Sequence, residues 1–192
     1  MSEAEHAQVH RLESEQQAEA IGGLSADEFK FAFRHHAAGG ALITADAGDG
    51  PVAMTVTSVF SVSAEPPLFV FSISDQSSAS ATLKKTDTLI VHLLSADQLD
   101  LAKLGSTSGI DRFADTSIWD RLITGEPYFP AVRTWIRGRV IDRMRAGSST
   151  IVAVHALQAR LPESDAAEAA PPLVYYSRTW HELTEKSEIG RQ

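Results

Sequence analysis

Between Ala41 and Leu161 the chain reads as short apolar runs separated by small polar turns, and most of the runs are too short for helices. Ala41 to Ala45 predicts a first strand, and Gly48-Asp49-Gly50-Pro51 predicts a turn that mixes flexible and fixed dihedrals. Val52 to Thr57 then returns antiparallel. Phe60 and Val62 alternate with Ser61 and Ser63, the pattern of a half-buried strand. Pro66-Pro67 interrupts the pattern. Leu68 to Ile73 is apolar on both faces and belongs in the interior of a sheet or barrel. Leu89 to Leu94 predicts another buried strand. From Val132 to Met144 the chain alternates, with Val132, Thr134, Ile136, Gly138 and Val140 on one face. Ala146-Gly147-Ser148-Ser149 turns it into a return strand from Thr150 to Leu161, and Leu173 to Leu183 is a last, aromatic segment.

Helical signals are fewer. Ser25-Ala26-Asp27-Glu28 has capping-box spacing, in which the serine and the glutamate satisfy each other's backbone N–H groups. Phe29, Ala32, Phe33, His36 and Ala37 follow at helical spacing and predict one buried stripe, ended by Gly39-Gly40. Ala79 to Lys85 predicts a short helix. Ser95-Ala96-Asp97-Gln98 is a second capping box and opens a helix through Leu104 with one apolar side. Six or more strands with few helices between them predict a mainly β fold, closed into an antiparallel barrel that leaves no free edge. The expected organisation is a polar tail over 1–24, one domain over 25–185 and a short tail over 186–192.

Composition narrows the function classes. A formal charge of -8 argues against a broad nucleic-acid-binding face. The chain has no cysteine, which excludes disulfides, thiolate nucleophiles and cysteine-based metal sites. No apolar run approaches the roughly 20 residues that span a bilayer, and the first 20 residues lack the apolar core of a secretory signal. A cytoplasmic protein without nucleic-acid or membrane partners is expected. His35 and His36 are adjacent, while His92, His155 and His181 are isolated in sequence, so no metal site is predicted. Gly-x-Ser-x-Gly and the Walker phosphate loop are absent, and no catalytic side chain is assigned.

The densest chemistry lies between Val52 and Ser80. Ser72, Ser74, Ser77, Ser78 and Ser80 place five hydroxyls within nine residues, between an apolar strand and a helix start. Hydroxyls and free amides in that setting suit a phosphate dianion. The alternative is a loop whose serines cap the helix, which needs only one or two of them. Upstream, Ala53, Thr55 and Ser58 are small enough to let a flat ligand approach the backbone of a strand edge. The alternative there is a barrel strand whose threonines reflect β-propensity.

Several motifs, in order, resemble the flavin reductase-like family. Phe33 to Gly40 resembles its opening helix and glycine exit. Gly50-Pro51-Val52-Ala53-Met54-Thr55-Val56-Thr57-Ser58 resembles G-x-x-x-M-T-x-S-S, and Ser63 to Leu68 resembles S-x-x-P-P-L. Asp75 to Ser80 resembles an Asn-Arg-Ser-Ser-x-Thr turn, and Val91 to Gln98 resembles V-N-V-L-S-A-D-Q. Arg112-Phe113 and Pro172 to Arg178 complete the set, so that the resemblance covers roughly 28–183.

The resemblance implies the FMN-binding split β-barrel and a homodimer with flavin near the subunit interface. It implies that Ala53, Met54, Thr55, Val56 and Ser58 border the isoalloxazine ring. Ser72, Ile73 and Ser74 would face the ring or the ribityl chain, Ser78 and Ser80 the phosphate, and Leu104 and Gly105 would close over the same region. The implied activity is an NAD(P)H:flavin oxidoreductase that uses FMN or FAD with NADH or NADPH and supplies reduced flavin to a separate monooxygenase. The cofactor carries the hydride chemistry, so the lack of an acid–base pair is no obstacle.

Two positions depart from the family. Gln76 stands where a basic residue is common, and Lys84 and Lys85 either compensate or are ordinary surface lysines. Gly147-Ser148-Ser149 stands where the family often carries Gly-Asp-His, a histidine associated with nicotinamide dinucleotide binding. The second departure motivates an alternative: a flavin-binding protein of the same fold without NAD(P)H turnover, or with a different reductant. A third reading is a dimeric interaction domain without flavin. Arg178 is a candidate for a dinucleotide phosphate or a ring edge; the alternative is an exposed salt bridge.

Overall fold

The computed structural model describes residues 22–162 and 170–190, which fall into two units. Most of the expected N-terminal tail, residues 163–169 between the last two strand-like segments, and the end of the expected C-terminal tail lie outside the described residues.

In the first unit, which includes residues 22–37 and 176–179, the capping box forms as expected. The Ser25 side chain accepts the Glu28 N–H, the Glu28 carboxylate accepts the Ser25 N–H at 2.9 Å, and helix α1 runs Ala26–Arg34. It stops at a cap on His35, several residues before Gly39-Gly40, and buries none of its side chains. The expected buried stripe is therefore an exposed one, with the rings of Phe29 and Phe33 in tilted contact at 4.6 Å between centroids. Periodicity specifies which residues share a face; it does not specify what covers them.

The second unit, 38–175 with 180 onward, is built on a seven-stranded antiparallel sheet. Its strands are β2 (Ala41–Asp46), β3 (Pro51–Val56), β4 (Phe60–Ala64), β5 (Pro67–Ser74), β6 (Thr88–Leu93), β9 (Thr134–Ala146) and β10 (Ser149–Arg160), in spatial order β3-β2-β6-β9-β10-β5-β4. A short β1 (Ala38–Gly39) joins the hairpin β11 (Leu173–Tyr176) and β12 (Thr179–Glu182), and β7 (Asp120–Arg121) pairs with β8 (Pro127–Tyr128).

One face of the sheet, without β4, collects into a single core. Ile43 from β2, Met54 and Val56 from β3, Phe71 and Ile73 from β5, Val91 from β6 and Val152 from β10 lie in the same buried cluster. Side chains of β3, at one end of the sheet, meet those of β5, next to the other end, only if the sheet curls strongly, so the second unit is barrel-like. Among the described residues it is not closed by strand pairing, as a fully closed barrel would be: β3 and β4 each have one described strand neighbour. Ser58 braces that seam, its Oγ accepting the Ser72 N–H of β5 at 3.0 Å.

β5 is an interior strand between β10 and β4, as its two apolar faces predict. β4 departs from expectation. Phe60 and Val62 are 62% and 56% exposed, so its apolar face looks outward from this chain.

A second buried cluster covers the outer face of β2 and β3. It joins Leu42, Ala53, Leu94, Ala102, Phe113, Phe129, Val132 and Leu173. The second capping box yields a 3-10 turn, Ala96–Gln98, continuing into helix α3, Leu99–Ser106, and α3 supplies Ala102 to this cluster. A four-residue helix α2, Ser80–Leu83, is shorter than the expected span to Lys85.

His92 ties the outer layer to the sheet. It is fully buried; its Nδ1–H donates to the Leu42 carbonyl at 3.0 Å and its Nε2 accepts the Phe129 N–H at 3.1 Å. A carbonyl can only accept and an amide N–H can only donate, so the two partners fix the neutral tautomer. Burial pushes its pKa down from 6.5 to about 4.

Candidate functional site

Strand β3 is held from one side and open along one edge. Its Thr55 hydroxyl donates to the Ala102 carbonyl of α3 at 2.7 Å. Gly105 of α3 packs so close that a Cβ there would meet Leu42 Cδ1 and Thr55 Oγ1, both at 2.3 Å. The small residues of β3 thus serve helix packing: Ala53 is buried in the outer cluster, with Leu104 packed against it. Met54, Val56 and Ile73 point into the barrel core. Of the residues expected to border a ring, these offer their backbone. The edge of β3 away from β2 pairs with no described strand.

The serines of the turn have distinct tasks. Ser74 Oγ accepts the Gln76 N–H at 3.3 Å. Ser77 Oγ accepts the Ala79 N–H at 3.3 Å and donates to the Met54 sulfur at 3.1 Å. Ser80 is 5% exposed. None caps α2, whose N-cap is Ala79 without a side-chain hydrogen bond. The helix-capping alternative for the serine cluster is therefore not what the fold uses. Ser78 is exposed, and its Oγ accepts from Arg112 Nη1 at 3.2 Å.

The hairpin carrying Gly147-Ser148-Ser149 sits beside this turn. Gly147 adopts φ +61°, Ser149 pairs with Ser74, and the Asp75 N–H donates to the Ser148 carbonyl at 3.0 Å. Lys84 does not serve the turn as a free cation, because its Nζ lies 2.6 Å from the Asp75 carboxylate.

A cavity of about 230 Å³ opens between the start of β3, the serine turn and the loop after α3. It is lined by Pro51, Val52, Ala53, Ser78, Ala79 and residues 109–113. Two of the expected site residues, Ala53 and Ser78, therefore meet in one cavity with Arg112. Met54, Thr55, Val56, Ser58, Ser72, Ile73, Ser74, Ser80, Leu104 and Gly105 do not line it. The loop residues 109–111 carried no local signal; Arg112 stood out in the sequence as part of the Arg112-Phe113 motif and as a residue able to approach the mouth of the site. Arg178 belongs to the other unit, where it is exposed at a hairpin tip beside Ser177, both with positive φ, 64° and 48°. Such backbone is uncommon outside glycine and asparagine.

Residues 33–184 match the family model described as a flavin reductase like domain. The chain belongs to the flavin reductase-like family. It is 39% identical over 167 residues to an NADH:FMN oxidoreductase of Rhodococcus qingshengii, covering 84% of each chain. It is 26% identical over 165 residues to the reductase component of a 4-nitrophenol 4-monooxygenase/4-nitrocatechol 2-monooxygenase of Rhodococcus opacus, covering 86% of this chain and 85% of the other. The crystal structure of a flavin reductase domain protein from Arthrobacter sp. FB24 superimposes with a TM-score of 0.76 at 30% identity, covering 82% of this chain and 95% of that one. Within a flavin reductase-like split barrel, the cavity bounded by β3, the serine turn and Arg112 is the place where strand edge, hydroxyl and cation converge.

Proposed function

We propose that this chain is an NAD(P)H:flavin oxidoreductase that binds FMN, with FAD as the related alternative, and takes its electrons from NADH or NADPH. The observation that carries this is the cavity uniting Ala53 on the open-edged strand with Ser78 and Arg112, in a chain of this family whose relative is an NADH:FMN oxidoreductase. The residues fit the group. Backbone of β3 and the small Ala53 suit a flat ring edge, and Ser78 with Arg112 suits a phosphate. When bound, the flavin supplies the hydride-accepting chemistry, and the protein supplies position and electrostatics. The ordered seam, with Ser58 bonded to Ser72 and Thr55 to Ala102, keeps the edge of β3 fixed for that purpose. No side-chain nucleophile or base is required.

The same proposal includes a homodimer and a partner. Phe60 and Val62 on β4, with Ile141 and Met144 on β9, are large apolar residues left exposed by this chain. Apolar surface of this kind suits a second copy at the open side of the sheet. Reduced flavin would pass by diffusion to a separate monooxygenase, as suggested by the likeness to a monooxygenase reductase component. Use of a nicotinamide co-substrate fits a cytoplasmic location, and no helix among the described residues is long and apolar enough to cross a membrane.

The test is oxidation of NADH and NADPH by the purified protein, with and without added FMN. Flavin-dependent, saturable oxidation is expected. A second reading, flavin binding without nicotinamide turnover, is favoured by Gly147-Ser148-Ser149 in place of Gly-Asp-His. Bound flavin with no oxidation of either nucleotide would select it.

A further inference from the structure

The cavity has three walls: the start of β3, the serine turn and the loop 109–113. The first of them depends on the turn between β2 and β3. Pro51 ends that ladder opposite Asp46 and has no N–H to give to it, so the cavity end of β3 is placed by the residues that precede it. The turn is permissive by itself: Gly48 and Gly50 sit at φ +96° and +107°, a region that glycine enters freely. Side chains fix it instead. Asp46 Oδ1 accepts the N–H groups of Gly48 at 2.8 Å and Gly50 at 3.2 Å.

Two further contacts tie this turn to the other walls. The hydroxyl of Thr82, a buried residue of α2, donates to the exposed Asp49 carboxylate, with Oγ1 3.2 and 3.4 Å from its two oxygens. This joins the β2–β3 turn to the helix that the serine turn leads into. On the other side Arg121 of β7 reaches across. Its Nη2 donates to Asp46 Oδ2 at 2.6 Å, its Nη1 donates to the Gly125 carbonyl at 2.6 Å, and the guanidinium lies 5.7 Å from the centroid of the Trp119 ring. Trp119 Nε1–H in turn donates to the carbonyl of Phe113, a cavity residue, at 3.0 Å. Neither Thr82 nor Arg121 lines the cavity. The Arg121–Asp46 pair is partly exposed, so its worth lies less in global stability than in where it holds the turn.

We propose that Thr82 and Arg121 are positioning residues for the ligand of this cavity: by clamping the β2–β3 turn from two sides, they set the spacing between the edge of β3, the serine turn and the loop 109–113. The proposal rests on the flavin-binding reading above and adds to it a determinant of affinity that lies outside the contact surface. A clamp acts on spacing, so it affects flavins alike whether or not they carry a phosphate. It acts chiefly on release, because a loosened wall lets a bound ring leave sooner.

The experiment measures dissociation constants and dissociation rates of the full chain for FMN and for riboflavin by flavin fluorescence, with melting temperatures alongside. The variants are Thr82→Val, Thr82→Ser, Arg121→Gln, Arg121→Lys and the double variant Thr82→Val with Arg121→Gln. Arg133→Gln is the control, since Arg133 makes a similar ion pair with Asp97, at 2.7 Å, outside the cavity lining. Thr82→Val and Arg121→Gln each weaken both flavins about 3- to 10-fold, the range for one ordinary hydrogen bond, through faster release. The double variant is weaker than either. Thr82→Ser keeps the hydroxyl and binds as wild type, and Arg121→Lys recovers part of the loss, because one ammonium cannot reproduce the fork between Asp46 and Gly125. Arg133→Gln binds as wild type at a melting temperature no higher than that of Arg121→Gln. Wild-type affinity in the double variant would overturn the proposal. So would a loss in Arg133→Gln equal to that in Arg121→Gln, which would reduce the clamp to stability alone. Weakening of FMN with riboflavin unchanged would make Arg121 a direct phosphate contact and overturn it too. A wild-type protein that binds neither flavin would instead overturn the flavin-binding reading from which the proposal starts.

Discussion

A Cβ placed on Gly105 would stand 2.3 Å from the hydroxyl oxygen of Thr55 and 2.9 Å from its backbone nitrogen. The glycine is thus what lets α3 lie directly on β3, and that contact sets where the open edge of β3 sits. Gly105→Ala gains up to ~1 kcal/mol of helix propensity but must displace backbone, which costs more. A net loss of about 1–2 kcal/mol is expected, read by chemical denaturation, together with weaker FMN binding.

The two hydroxyls assigned to the phosphate should separate experimentally. Ser78 is exposed at the cavity wall, whereas Ser80 is buried. Ser78→Ala is expected to weaken FMN binding about 3- to 10-fold, the value of one ordinary hydrogen bond, with an unchanged melting temperature. Ser80→Ala should alter stability more than affinity. Wild-type affinity in the double variant, measured by flavin fluorescence, would remove the phosphate assignment from the turn.

Stability should fall with acid earlier than carboxylates alone would cause. His92 has a folded pKa near 4 and an unfolded value near 6.5, so the unfolded chain binds its proton first as pH drops. The neutral form's contribution is complete above pH 6.5 and declines as pH falls from 6.5 towards 4, by about 3 kcal/mol in all. Urea denaturation at steps across pH 7 to 5 tests this, since ordinary carboxylates titrate mainly below that window. A flat profile over those steps would mean that His92 can be protonated in place.

The hairpin Gly147-Ser148-Ser149 can be returned to the family pattern. Its backbone already places Ser148 against Asp75 and Ser149 against Ser74. Ser148→Asp with Ser149→His is expected to lower the KM for NADH several-fold and leave the FMN dissociation constant unchanged. Steady-state kinetics at saturating FMN gives the first quantity and fluorescence quenching the second. No change in KM would show that the nicotinamide dinucleotide binds without this hairpin.

Local sequence determined a great deal. Short apolar runs bounded by turn residues located β2, β3, β5, β6 and β10, and alternation located β9, all to within one or two residues, because run length and side-chain direction along a strand are set locally. Both capping boxes formed, because each closes hydrogen bonds over four consecutive residues. The order of the motifs also identified the family. Tertiary structure decided what those elements face. Phe29 and Phe33 of α1 and the apolar side of β4 share faces as their spacing predicts, yet this chain leaves them uncovered. Gly105 reads as a helix ending until Thr55, 50 positions away, is seen against it. Arg112 gains its meaning only beside Ser78. Contacts of that range depend on how the sheet curls and how loops return across it, and no local period carries that information.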